Sequence, residues 1–275
     1  MKLPNASATP RVSRSDTAEE VNARTAPVLP DPWLHLRRHT PARIALGRTG
    51  VSLPTYEVLR LTIAHAQARD AIQVPLNTEA LNDELVTHAW NDVVFLESQA
   101  RDRSEYLLRP DKGRRLRPES AMRLGALRCS APDLVLVLGD GLSSLGIQQH
   151  GVALLNAIRA ALDPPLQLGP LVVVRHARVA VADEVGEILG AGMVAILIGE
   201  RPGLSAPDSV GIYLTHTPRV GCSDAQRNCI SNIRPAGQDF ETAARRLAWL
   251  VAEGRRVGQT GITLKDHSGL TLGKL

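Results

Sequence analysis

Apolar residues in this chain fall into short unbroken runs separated by turn-forming residues, most densely between Leu171 and Ile233. Leu171-Val-Val-Val-Arg175 is β-branched. Val194-Ala-Ile-Leu-Ile-Gly199 is a second run, Ser209 to Thr215 a third, and Asn228-Cys-Ile-Ser-Asn-Ile233 a fourth. Upstream, Asp133-Leu-Val-Leu-Val-Leu138 has the same character. Segments apolar at every position suit strands covered on both faces of a parallel or mixed sheet. Ligands of such sheets sit beyond the carboxyl ends of the strands. The loop Glu200-Arg-Pro-Gly-Leu-Ser205 follows such an end.

Helical spacing fills the intervals. The pattern predicts a helix from about Pro54 to Ile72, with Ser52 as N-cap and Pro54 in the first turn. Others are predicted over about Thr78–Leu85, Glu119–Arg128 and Ile147–Leu162. Asp183 reads as the N-cap of a helix to about Leu189, closed by Gly190 and Gly192. The last helix runs from about Phe240 to Gly254, with Ala243, Leu247, Leu250 and Val251 as its apolar stripe. The first thirty residues, rich in Ser, Thr, Ala, Pro and Arg, show no period and read as a disordered tail. Within it, Ser15–Ala26 has a weak helical pattern that would suit a docking or encapsulation peptide. The predicted organisation is α/β: a flexible tail over 1–30, a helical N-terminal region over 31–105, and a Rossmann-like domain over 106–275.

Composition narrows the function. At 275 residues the chain can bury a substantial core. Aromatic residues are 3% of it, so the core is aliphatic and stacking platforms for single-stranded nucleic acid are not expected. The net charge of +4 is carried almost wholly by arginine, since Lys2, Lys112, Lys265 and Lys274 are the only lysines. Cys129, Cys222 and Cys229 form an odd set without metal-ligand spacing, and no secretory or membrane-spanning run is seen. A reducing cytoplasmic compartment, with no membrane and no nucleic-acid partner, is the expectation.

Candidate chemistry is sparse. Gly139-Asp-Gly-Leu-Ser-Ser-Leu-Gly146 joins a strand to a helix as phosphate-binding turns do, but its glycines miss the dinucleotide spacing and no Walker lysine follows. Ser143 and Ser144 lack the nucleophile-elbow pattern. His35 and His39 stand at i and i+4, a zinc-compatible spacing without a third ligand nearby. The turn bearing Arg109, Arg114, Arg115 and Arg117 is either a solvated linker or a grip for phosphate or carboxylate. Cys229, inside an apparent strand, reads as a small buried hydrophobe. Glu200 either pairs with a neighbouring cation such as Arg201 or accepts hydrogen bonds from a ligand. No cluster unites acid, base and nucleophile, so the chain reads as half of a binding cleft.

Five segments in this order carry a resemblance: Thr40-Pro-Ala-Arg-Ile-Ala-Leu-Gly-Arg48, Arg109-Pro-Asp-Lys-Gly-Arg114, Gly139-Asp-Gly-Leu-Ser-Ser144, Gly199-Glu-Arg-Pro-Gly-Leu-Ser205 and Arg227-Asn-Cys-Ile-Ser-Asn232. Together they closely resemble the small subunit of ethanolamine ammonia-lyase, over about residues 31–266. The resemblance implies an adenosylcobalamin-dependent enzyme that turns ethanolamine into acetaldehyde and ammonia by radical rearrangement. It implies a large subunit that binds ethanolamine and carries the catalytic residues, with cobalamin between the subunits. The cobalamin contacts it implies fall on Val179, Glu200 and Cys229, with Ser143, Ser144 and the Gly139–Leu142 amides as further candidates. It also implies a setting inside a bacterial microcompartment where one is built. The D-x-H-x-x-G signature of other cobalamin proteins is absent, since Asp266-His267 continues as Ser-Gly. The resemblance thus implies a cofactor that keeps its own base on cobalt. Two alternatives stand beside it: a free-standing Rossmann-like enzyme using a nucleotide cofactor, and a non-catalytic scaffold subunit.

Overall fold

Leu134-Val-Leu-Val-Leu-Gly139 shows how the sheet of this protein is built. In the computed structural model, which describes residues 28–127, 131–162 and 166–271, this strand is buried at every position. Its leucines (134, 136, 138) point into one aliphatic core and its valines (135, 137) into another on the opposite face. That two-sided burial is why the run is apolar throughout rather than alternating.

Six strands form one mixed sheet: β1 (Val93–Glu97), β2 (Leu134–Gly139), β3 (Leu171–Arg175), β4 (Met193–Gly199), β5 (Val210–His216) and β6 (Arg227–Ile233), in the order β1-β3-β2-β4-β5-β6. The first four in that order are parallel, and β5 and β6 add antiparallel. The chain passes from β2 to β3 through helix α5 (Ser144–Ala161), then from β3 to β4 through α6 (Val181–Ile188). Helix α5 packs in the leucine-side core and α6 in the valine-side core. β3 and β4 therefore flank β2 on opposite sides, which opens a crevice at the carboxyl ends of β2 and β4.

Helices α2 (Thr78–Thr87) and α7 (Phe240–Val257) join α5 on the leucine side, and α4 (Pro118–Gly125) joins α6 on the other. Side chains start several of them. Asn77 accepts from the Ala80 N–H at 3.1 Å and Asp239 from the Thr242 N–H at 2.8 Å. Short α3 (Arg103–Leu108) is capped by Asp102, which accepts from the Glu105 N–H at 2.8 Å.

Two compact units make up the chain, one ending at His65 and the other beginning at Ala66. The first contains a 3-10 turn over Leu34–Arg38, a bridge between Leu29 and Arg48, and the start of α1 (Thr55–Gln73). The second contains the whole sheet and both cores.

Several expectations are corrected. β1 is a strand within a stretch read as helical: Val93-Val-Phe-Leu-Glu97 is too short for its pattern to stand out beside the preceding helix. Ser52 does not cap α1, which begins at Thr55; Ser52 closes a small turn against Thr49. The helix after β3 starts at Val181 behind Ala180, so Asp183 lies in its first turn, buried against Arg227, rather than capping it. α5 begins three residues earlier than its apolar pattern suggests, and α4 ends at Gly125. Residues 1–27, 128–130, 163–165 and 272–275 lie outside the described residues, and with them most of the predicted tail, Ser15–Ala26 and Cys129.

Candidate functional site

The crevice at the ends of β2 and β4 is a cleft of about 440 Å³. A cleft of that size falls in the ordinary range for small-molecule and cofactor sites. Its apolar wall is Leu142, Val179 and Ile198, and its polar groups include Glu200, Arg201, Tyr213 and Ser231. The floor is the β2–α5 turn. There Gly141 takes a left-handed backbone (φ +61°), and a Cβ on it would come within 2.0 Å of the Gly199 carbonyl oxygen. Only glycine permits this close approach of the turn to the end of β4. The Leu142 N–H donates to that same carbonyl at 3.0 Å.

Two charged groups, the buried Asp140 and the half-buried Arg103, brace the floor. Arg103 donates to the carbonyls of Ile72 (2.6 Å), Gly141 (2.7 Å) and Leu142 (2.7 Å). Asp140 accepts from the N–H groups of His176 and Ala177, each at 2.9 Å. These bonds hold His176 in a left-handed conformation (φ +55°), which non-glycine residues adopt at a cost. They also fix the loop that presents Val179. Burial raises the Asp140 carboxyl above its usual range, opposed by the two N–H groups and by the His176 and Arg103 charges. Tyr106, fully buried, donates to the Ala177 carbonyl at 3.1 Å and lies between the guanidinium groups of Arg103 and Arg178. Burial likewise pushes its hydroxyl pKa up.

The structure brings Val179 and Glu200 into this cleft. Glu200 shows no ion pair with Arg201. Its Oε1 accepts from the Ser231 hydroxyl at 2.5 Å and its Oε2 from the Asn232 N–H at 3.1 Å. A carboxylate has about four acceptor positions, so β6 fixes Glu200 and leaves it able to accept more. Cys229 does not line the cleft itself. It sits opposite Tyr213, which does. Cys229 is exposed rather than buried, because β6 is the outermost strand and turns only Arg227, Ile230 and Ile233 inward. Its thiol is nevertheless raised, first by the atoms packed around it and then by the charge of Glu200; the neighbouring Tyr213 hydroxyl pulls the other way. The Tyr213 hydroxyl is raised as well, chiefly by burial.

Other candidates lie elsewhere. The Ser143 hydroxyl donates to the Pro207 carbonyl (2.7 Å) and the Ser144 hydroxyl to the Val74 carbonyl (2.5 Å); both serines are buried and lock the start of α5. His39 accepts from Arg38 Nε at 2.8 Å, and His35 meets the Pro32 carbonyl. Among the described residues, no three His, Cys, Asp or Glu side chains gather as a metal site. The basic turn is mostly neutralised within the chain. Arg115 grips Glu184 with two bonds of 3.0 Å, Arg117 meets Glu97 and Arg109 meets Asp111. His267 stacks edge-on against Trp249 and does not line the cleft.

Sequence reading missed Tyr106, Arg103, Arg178 and Tyr213. Tyr213 had one signal: it is the lone aromatic residue in an aliphatic strand. The others come from the helix and loops that follow β1 and β3, and nothing local marks them.

Comparison with known proteins agrees across nearly the whole folded chain. Residues 30–265 match the family model described as ethanolamine ammonia-lyase light chain (EutC). The ethanolamine ammonia-lyase small subunit of Azotobacter vinelandii is 51% identical over 247 residues, covering 88% of this chain and 91% of that protein. The proteins of the same name from Pseudomonas syringae pv. tomato and Ralstonia nicotianae are 49% and 48% identical, covering 91% and 92% of this chain and 88% and 95% of their own lengths.

Proposed function

The chain belongs to the ethanolamine ammonia-lyase light-chain family, and from that premise we propose that it holds one side of adenosylcobalamin against a large subunit that binds ethanolamine and carries the catalytic residues. The observation that supports this most is the cleft at the ends of β2 and β4, where Val179 and Glu200 join an aliphatic wall and the carboxylate is fixed by β6. A site that positions a cofactor without transforming it has this make-up.

The residues suit a corrin. Leu142, Val179 and Ile198 offer an aliphatic surface to an apolar ring, and Glu200 keeps acceptor positions for the amides at a corrin's rim. When bound, adenosylcobalamin supplies the radicals that begin the 1,2-rearrangement. This chain orients and shields it. Asp140 and Arg103 keep the two loops of the floor in place, and the Tyr213–Cys229 pair closes the side toward β6. Reading the sheet as a Rossmann-like cobalamin domain belongs to the same proposal, as does a cofactor that retains its own base, since His267 stands against Trp249.

Titrating cobalamin into the assembled subunits and following its visible spectrum tests the proposal. Losing a hydrogen bond to a charged group costs about 1.5–3 kcal/mol, so Glu200→Ala should weaken cobalamin binding about tenfold or more. An unchanged affinity would favour a scaffold subunit with no part in holding the cofactor.

A further inference from the structure

We propose that the free edge of β1 is a docking groove for an extended segment of the large subunit, which adds there as a seventh strand. The inference rests on the reading above only in requiring that the chain assembles with a large subunit.

Among the described residues β1 pairs with β3 on one side alone. The Leu171 N–H donates to the Asp92 carbonyl and the Ser98 N–H to the Arg175 carbonyl. With Val93 opposite Leu171 and Glu97 opposite Arg175, this parallel register bonds β3 through residues 92, 94, 96 and 98. The backbone groups of Val93, Phe95 and Glu97 therefore face outward. Those of Glu97 are used: its N–H donates to the Ser120 hydroxyl at 3.0 Å and its carbonyl accepts from the Arg117 N–H at 3.0 Å. Those of Val93 and Phe95 meet no partner among the described residues. Unpaired edge groups of this kind are what an added strand satisfies.

Beside this edge lies a groove of about 720 Å³. Helix α2 walls it over one face of the sheet and α4 over the other. The α2 wall carries Glu79 and Asp83, both exposed. On the opposite wall Arg117 is already engaged by Glu97. The complementary occupant is thus a β-strand segment with basic side chains on the α2 side.

Hydrogen exchange on the full chain, alone and assembled with the large subunit, reads this directly. The Val93 and Phe95 amides should exchange at least tenfold more slowly in the assembly. Val93→Pro removes an outward N–H at the first residue of an edge strand, where proline is tolerated. It should weaken assembly at least tenfold, while Val93→Ala, which keeps the N–H, stays within twofold. Glu79→Lys with Asp83→Lys should weaken assembly and reduce its sensitivity to salt. Unaltered exchange at both amides overturns the inference. So does a Val93→Pro effect on self-association of the isolated chain, which would make a second copy the occupant. Failure of the wild-type chain to assemble with the large subunit at all would remove the underlying reading first. Normal assembly with unprotected amides removes this inference alone.

Discussion

Glu105 ties α3 to the basic turn that follows it. Its carboxylate takes the Arg101 N–H at 2.9 Å and pairs with Arg101 and Lys112. The Lys112 bond, then the Arg101 N–H, lower its pKa from 4.5 to about 2. A lowered folded pKa means that the bonds stabilise fully above the unfolded value and are lost as pH falls toward the folded one. Glu105→Gln should therefore be less stable than the wild type at neutral pH, and the gap should close between about pH 4.5 and 2. Urea unfolding across that range checks it; a gap that persists at the acid end would show the pairing to be idle. Asp140 has the opposite sign. Its raised carboxyl favours the folded state most where it is protonated, yet the two N–H groups it holds are what fix the Val179 loop.

At the scale of elements, the β2–α5 turn decides the shape of the cleft. Gly141→Ala would place a methyl group where the Gly199 carbonyl stands and would force a left-handed alanine. A destabilisation of about 1 kcal/mol or more is expected, and the cleft floor should shift with it. Thermal unfolding and cobalamin affinity should fall together in this variant; unchanged affinity in a destabilised protein would separate the turn from the binding site. The end of β4 is under the same constraint from the other side, since a Cβ on Gly199 would lie 1.9 Å from the Ser143 carbonyl oxygen. These paired glycines give the glycine-rich segment a packing role, which accounts for its failure to match a dinucleotide fingerprint.

The whole molecule concentrates its stability in one unit. Both aliphatic cores and all six strands lie after Ala66, the first core residue being Leu76. A chain shortened to begin at Thr55 should keep one cooperative unfolding transition. Its Tm should fall by no more than about 4 °C, the effect of about 1 kcal/mol in a domain of this size. A broad or absent transition in calorimetry would show that the first unit is needed for the fold. Among the described residues no helix is long and apolar enough to cross a membrane. Several large apolar side chains, among them Trp33, Leu59, Ile63, Leu108 and Ile262, stand exposed.

The sequence by itself determined the central strands and the main helices. β2, β3 and β4 are apolar at consecutive positions because both faces of each are covered, and that property is written locally. The same reading found Glu200 at the end of a strand and the ordered motifs of a family. Only the tertiary structure decided which strand ends lie side by side. Strand order is a relation between distant segments: Gly141, Val179, Glu200 and Tyr213 share a cleft because β2 pairs with both β3 and β4, and β4 with β5. It also decided that Cys229 is exposed and that Val93–Glu97 is a strand. Both belong to edge strands: β6 is buried on one face only, and β1 is a five-residue run too short to mark itself before its neighbours cover it.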